Sequence, residues 1–193
     1  MCGRYFIDPE PDEALLPVLR ALEARGSRGL KIRGEVLPGD LAPVLAGNRA
    51  RQIRPFAMRW GYRLAVGRPL INARAESARE KPLFADGMLQ RRCLIPASHY
   101  FEWQRLHDGG RKKFAIRPTG MCALYLAGIY RHEVGGPRFV VLTRPAAPEI
   151  AFIHDRMPLI LSPERAYAWL SPSFDPDVLL RSAPQEMQWA SED

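Results

Sequence analysis

The sequence predicts an α+β protein with a barrel-like mixed-sheet core and a few helices at its periphery. Three observations carry that prediction. Short strand-like apolar pieces recur between positions 43 and 143, each broken by Pro or Gly. Helical periodicity is confined to a few stretches. No repeat, low-complexity linker or shift in composition divides the 193 residues, a length that suits one domain over 1–193.

Taken in chain order, Asp12 is placed to cap a helix whose apolar face is Leu15, Val18, Leu19 and Leu22. Pro17 inside it implies a kink or a late start, because proline removes a backbone donor. Residues 25–29, rich in Gly, Ser and Arg, read as a loop. Strands are expected over 43–46, 52–58, 93–96, 113–117, 123–130 and 138–143. Gly135-Gly136-Pro137 turns the last two into a hairpin. Helices are expected over 82–90, from the start signal at Pro163 to Leu170, and over 175–181.

Composition narrows the function. With 47% apolar and 25% charged residues the chain is of ordinary globular type. No apolar run approaches the ~20 residues of a membrane span. The N-terminus has no basic region leading into an apolar stretch, so a cytoplasmic protein without a membrane partner is expected. The three cysteines, Cys2, Cys93 and Cys122, are odd in number and lack metal-type spacing. They imply a reducing setting with neither a disulfide framework nor a metal site. Cys93 and Cys122 sit among apolar residues and read as inert core. The net charge of +7 suits a polyanion, with nucleic acid the commonest. Only four of the 28 cations are lysines, and arginine is the better bidentate phosphate ligand, although genome composition gives the same bias. No phosphate-binding Gly-rich loop, HExxH, CxxC pair or GxSxG motif is present, so neither a nucleotide cofactor nor zinc is called for.

The chemistry-bearing residues begin at Met1-Cys2-Gly3-Arg4. Once Met1 is removed, Cys2 carries an α-amine and a thiol on adjacent carbons, with ordinary pKa values of about 8 and about 8.5. An aldehyde can condense with the amine, and the thiol can then close a five-membered thiazolidine. No internal cysteine can do this, because its nitrogen is an amide. The alternative is that position 2 is merely small. Asn72, Arg74 and Glu76 alternate along an apparently extended stretch and would share a face. They either orient a substrate or form an ordinary charged surface. Glu102 lies between Phe101 and Trp103. An apolar cage would raise its pKa and suit it to proton transfer, whereas an outward-facing position would leave it inert. His154 is flanked by Ile153 and the run from Met157 to Leu161. It reads as a proton carrier or as a hydrogen-bonded structural residue. His99, His107 and His132 carry less information. Trp60, beside Arg59 and Gly61, offers either a stacking ring or a core side chain.

These segments together resemble one family, the SOS-response-associated peptidases (SRAP), also called abasic-site processing proteins. The resemblance rests on MCGRY at the start, GEVLPGDLAPVL at 34–45, MRWGY at 58–62, INARAES at 71–77, EKPLF at 80–84, RRCLIPASHYFEW at 91–103 and IHDRMPLIL at 153–161. They stand in the family's order and span nearly the whole chain. The resemblance implies a single SRAP domain with a barrel-like core. It implies binding to single-stranded DNA that carries an abasic site, and a covalent crosslink from Cys2 to the sugar aldehyde. It makes Cys2 the nucleophile after Met1 has been removed by the protein's own peptidase-like activity. Asn72 would hold Cys2, Glu102 would move protons during imine formation and ring closure, and His154 would help open the sugar ring and assist reversal. Arg4, Arg74 and Arg156 would grip flanking phosphates, with Trp60 and Trp103 the aromatic candidates against DNA. A monomer without cofactor is expected, in the cytoplasm and on the nucleoid when DNA-bound. Other readings are a thiol peptidase acting on other proteins and a non-covalent single-strand binding module.

The chain departs from the family pattern in four places. His99 stands where a Gly is common, and Tyr62-Arg63-Leu64 replaces a segment carrying Pro and a second Trp. Leu142-Thr143 replaces a Thr-Thr pair, and little follows Trp189.

Overall fold

A computed structural model describes residues 2–9, 15–24, 26, 28–50, 52–171 and 173–192. Five strands close on themselves. They are β3 (Leu41–Gly47), β4 (Ile53–Trp60), β6 (Arg92–Ala97), β9 (Leu124–Glu133) and β10 (Gly136–Pro145). The ring runs β10-β4-β3-β6-β9 and returns to β10, so the barrel predicted from the sequence is present. All its pairs are antiparallel except β4–β10. The Gly135–Gly136 turn makes β9 and β10 a hairpin, as the sequence predicts. β6 is buried along its whole length, which explains the apolar run that follows Arg92.

A second sheet lies against the barrel. Its order is β13 (Met187–Glu192), β8 (Arg111–Pro118), β7 (His99–Arg105), β1 (Arg4–Ile7) and β2 (Gly34–Val36). The chain crosses from one sheet to the other at Ser98, between β6 and β7. That residue pins β1 to the crossing: its amide donates to the Phe6 carbonyl at 2.8 Å, and its hydroxyl accepts from the Asp8 amide at 2.8 Å. Two short strands fasten to β10. β5 (Asn72–Arg74) pairs parallel with it, and β11 (Arg156–Pro158) pairs antiparallel. β12 (Ile160–Leu161) pairs with β9.

The helices lie outside the barrel. α1 (Leu15–Ala24) buries Leu19 and Leu22 and carries Pro17 in its first turn, where a missing N–H breaks no helical hydrogen bond. The expected Asp12 cap lies outside the described residues. α2 (Ala75–Ala78), α3 (Pro82–Gln90), α4 (Pro163–Leu170) and α5 (Asp177–Arg181) follow, with α3 and α4 starting on proline as predicted. Among the described residues no helix is long and apolar enough to cross a membrane.

Packing inside the barrel is tight at Gly128. A Cβ there would lie 2.4 Å from Ile95 Cδ1 and 2.9 Å from the Val140 carbonyl oxygen, so only glycine lets β6, β9 and β10 close this far. Two expectations from the sequence are corrected. Trp60 is fully buried, with its ring stacked on Phe139 at 6.2 Å and its indole N–H donating to the Ile71 carbonyl at 3.0 Å. It presents no face to a nucleobase. Cys122 is exposed rather than core, because Met121–Ala123 forms the turn between β8 and β9 and not part of a strand.

Candidate active site

β1 delivers the N-terminal segment to the seam between barrel and second sheet. Arg4 pairs with Phe101 across β1 and β7, and continuing that register sets Cys2 beside the 102–103 stretch. Cys2 is 0% exposed and packs with Tyr5, Trp60 and Tyr100 in the main core cluster. Its thiol donates to the Arg4 carbonyl at 3.7 Å. Burial, and then the nearby Glu102 carboxylate, push the thiol far above its usual pKa, so it is held protonated.

Asn72 is 6% exposed and reaches Cys2 from the barrel side. Its Nδ2 donates to the Cys2 carbonyl at 2.8 Å. The expected common face of Asn72, Arg74 and Glu76 is not formed. The strand ends at Arg74 and Glu76 falls on α2, so Asn72 turns inward while Arg74 and Glu76 are exposed.

Glu102 is 4% exposed, on the side of β7 that faces inward. Burial raises its pKa, so it keeps its proton nearer neutrality than an ordinary carboxyl. The cage is not made by its chain neighbours, which lie on the opposite side of the strand. Phe114 pairs with Glu102 directly across β7 and β8, and Tyr100 lies two residues back on the same face. Tyr100 in turn pairs with Tyr5 of β1. Among the described residues, the buried Tyr5 and Tyr100 hydroxyls and Asn72 Oδ1 have no hydrogen-bond partner. Neither tyrosine was a candidate from the sequence. The alternation Tyr100–Glu102 was the available signal, since residues two apart on a strand share a face.

His154 follows a 3-10 turn (Pro148–Ile150) and precedes β11. Burial lowers its pKa and favours the neutral ring. Its Nδ1 lies 3.0 Å from the Arg156 amide and 2.8 Å from Asp155 Oδ1. Those contacts demand opposite protonation at one nitrogen. The amide is fixed in β11, whereas the Asp155 side chain is 85% exposed and turns readily into water. We therefore assign Nδ1 as acceptor and Nε2 as the protonated nitrogen.

The basic residues divide into two kinds. Arg156 is bidentate with Glu76, and its Nη2 also donates to the Thr143 carbonyl at 2.7 Å. It braces α2, β10 and β11, and a phosphate would have to displace Glu76 to reach it. Arg4 donates to Glu35 at 2.8 Å, with its guanidinium 5.2 Å from the centre of the half-buried Trp103 ring. Arg74 is exposed. Trp103 keeps one partly open face beside Arg4, in contrast to Trp60. His99, at the position where the family pattern has Gly, stacks on Phe6 at 4.9 Å and meets Phe101 edge-on, so it stands on the outer face of the second sheet. Among the described residues no cluster of His, Cys, Asp and Glu could hold a metal ion.

Comparison with known proteins shows the family and the fold. The chain is similar to "Abasic site processing protein YoqW" of Bacillus subtilis (strain 168), with 35% identity over 196 residues, covering 93% of this chain and 84% of that one. It is 32% identical to "Abasic site processing protein YedK" of Escherichia coli (strain K12) over 180 residues, covering 88% and 79%. Among solved structures, a protein from Bacteroides thetaiotaomicron superposes with a TM-score of 0.76 at 22% identity, over 98% of this chain and 91% of that one. A protein from Bordetella bronchiseptica does so with 0.75 at 19%, over the whole of both chains. The family model for SOS response associated peptidase (SRAP) matches residues 1–191. With the N-terminal cysteine enclosed beside Asn72 and Glu102, this chain belongs to the SRAP family.

Proposed function

We propose that the protein processes abasic sites in single-stranded DNA and crosslinks to them through Cys2 as a thiazolidine once Met1 is removed. The observation that carries the reading is an enclosed Cys2, held by its carbonyl and adjoining a carboxyl whose pKa burial raises. The names of the relatives at 32–35% identity support the substrate class.

The chemistry follows from the groups present. Hydrolysis of the Met1–Cys2 peptide bond consumes one water and frees the α-amine. In DNA the abasic sugar is a closed hemiacetal, and opening it requires proton transfer, a role this reading gives to His154. The amine adds to the aldehyde carbon to give a carbinolamine. Glu102 protonates its hydroxyl, which leaves as water, and the C–N bond becomes an iminium. The resulting Glu102 carboxylate takes the thiol proton as sulfur bonds to the iminium carbon, and the nitrogen recovers its electron pair. Glu102 ends protonated as it began, and the net release is one water. A thiol held protonated by burial suits this order, because its proton is lost only when a base beside it has been generated.

The test is a denaturing gel with intact-mass measurement, after mixing Met1-processed protein with a single-stranded oligonucleotide carrying one abasic site. A covalent adduct smaller by one water than the sum of the two is expected, and Cys2→Ala should give none. Adduct formation by Cys2→Ala, or its absence with the wild type, overturns the reading.

A further inference from the structure

Three aromatic rings gather on the side of the second sheet that carries Glu102. Phe114 stands opposite Glu102 across β7 and β8, and Trp189 stands opposite Ile116 across β8 and β13, so both share that face. Phe152, two residues before His154, completes the group. Its ring centre lies 5.9 Å from Phe114 and 5.3 Å from Trp189, and Phe114 and Trp189 are 5.4 Å apart. All three pairs meet edge-on or tilted. Phe114 is buried at 3%, whereas Phe152 and Trp189 are 48% and 47% exposed. The buried ring anchors the other two, which keep open faces beside the site.

The surroundings are basic. Lys112 Nζ lies 5.6 Å from the Phe114 ring centre. Lys112 shares the Phe114 face, whereas Arg105 and Arg111, paired with each other at the tip of the β7–β8 hairpin, leave the strands on the other face, from which the Arg105 charge still reaches His154. All three are exposed. Exposed aromatics interleaved with cations suit single-stranded nucleic acid, where rings take the bases and cations take the phosphates. A double helix would bury its bases and offer nothing to these rings.

We infer that Phe152 and Trp189 form a stacking platform for a nucleobase close to the lesion on the same single strand, with Lys112 and Arg105 taking the adjoining phosphates. This inference rests on the single-stranded DNA reading above. An abasic nucleotide leaves its neighbours without a stacking partner on one side, and a protein ring replaces it.

The experiment is a cycle between protein and DNA, read by fluorescence anisotropy with oligonucleotides on which the crosslinking aldehyde is replaced by a stable tetrahydrofuran analogue. Trp189→Ala and Phe152→Ala should each weaken binding by about 5- to 100-fold, the value of one stacked base. Trp189→Phe should retain most of the affinity. Deleting single bases in turn along the strand should locate one position where the loss is large for wild type and absent for Trp189→Ala. Circular dichroism melting of each variant separates lost contact from lost folding. Equal sensitivity of wild type and Trp189→Ala to deletion at every position overturns the platform. Failure of the wild type to bind any of the oligonucleotides overturns instead the DNA reading on which it rests.

Discussion

At Glu102 burial and chemistry pull in the same direction. A carboxyl enclosed in the seam is costly to ionise, so the folded protein binds its proton more tightly than the unfolded chain does. The stability this lends is present below the ordinary carboxyl value and is lost as pH rises through the raised folded value. Replacing Glu102 by Gln removes that pH-dependent loss. The Glu102→Gln protein should therefore melt higher than wild type at pH 7, with the difference shrinking as pH falls toward 4, in parallel thermal scans. The same variant should crosslink about a hundredfold to ten-thousandfold more slowly in a single-turnover gel assay, the usual contribution of a positioned acid–base group. A rate equal to wild type would remove Glu102 from the chemistry. Asn72 acts through position alone. Asn72→Ala deletes the hydrogen bond to the Cys2 carbonyl, and the crosslinking rate should fall about a hundredfold, with binding of non-reactive DNA nearly unchanged.

Individual elements place these residues, and some of them were legible from the sequence. Proline at a helix start fixed α3 and α4, and Gly-Gly-Pro fixed the β9–β10 hairpin, because these signals act through local backbone geometry. β1, β5, β7 and β13 carry no such mark. β7 mixes His, Glu, Gln and Arg with aromatics because it lines a site on one side and faces water on the other. β5 is three residues long, and its pairing with β10 is set by tertiary contact rather than by its own sequence. For the same reason Glu76 left the expected face of Asn72: the turn into α2 is invisible to an alternation rule. Cys2 is a candidate because it follows the initiator Met, and Asn72, Glu102 and His154 because they are polar residues among apolar ones, whereas Tyr5 and Tyr100 look like ordinary core aromatics. A test at this scale is the docking of α4. Trp169 is fully buried, its indole N–H donates to the Cys93 carbonyl at 3.0 Å, and Arg92 lies 5.2 Å from its ring centre. Trp169→Phe removes that hydrogen bond and opens a void, and should cost about 2–4 kcal/mol of stability in urea unfolding.

Across the whole molecule, the +7 charge is not spread evenly in its use. Arg156, Arg138 and Arg92 are spent on internal carbonyls and carboxylates, while Arg74, Arg105, Arg111 and Lys112 stand in solvent. Affinity for single-stranded DNA should therefore follow the exposed set. The logarithm of the binding constant should fall linearly with the logarithm of salt concentration, with a slope of about −0.7 per phosphate contacted. Arg74→Ala should reduce that slope by about one such step, whereas an affinity independent of salt would exclude phosphate binding as its source. The barrel provides the rigid reference for all of this. Asn72 is tied to β10, Glu102 belongs to the second sheet, and the seam between them is where Cys2 lies.

In the proposed chemistry, the grip of Asn72 falls on the one polar group of Cys2 that takes no part in bond making. The carbonyl keeps its oxygen through loss of Met1, addition of the amine to an aldehyde and closure of the sulfur ring. A single hydrogen bond can thus serve the unprocessed chain, the free aminothiol and the finished adduct without being broken. If Cys2 reacts as proposed, the residue is clamped behind its reacting atoms, like a tool held by its handle, and one clamp would serve both the attack and the product.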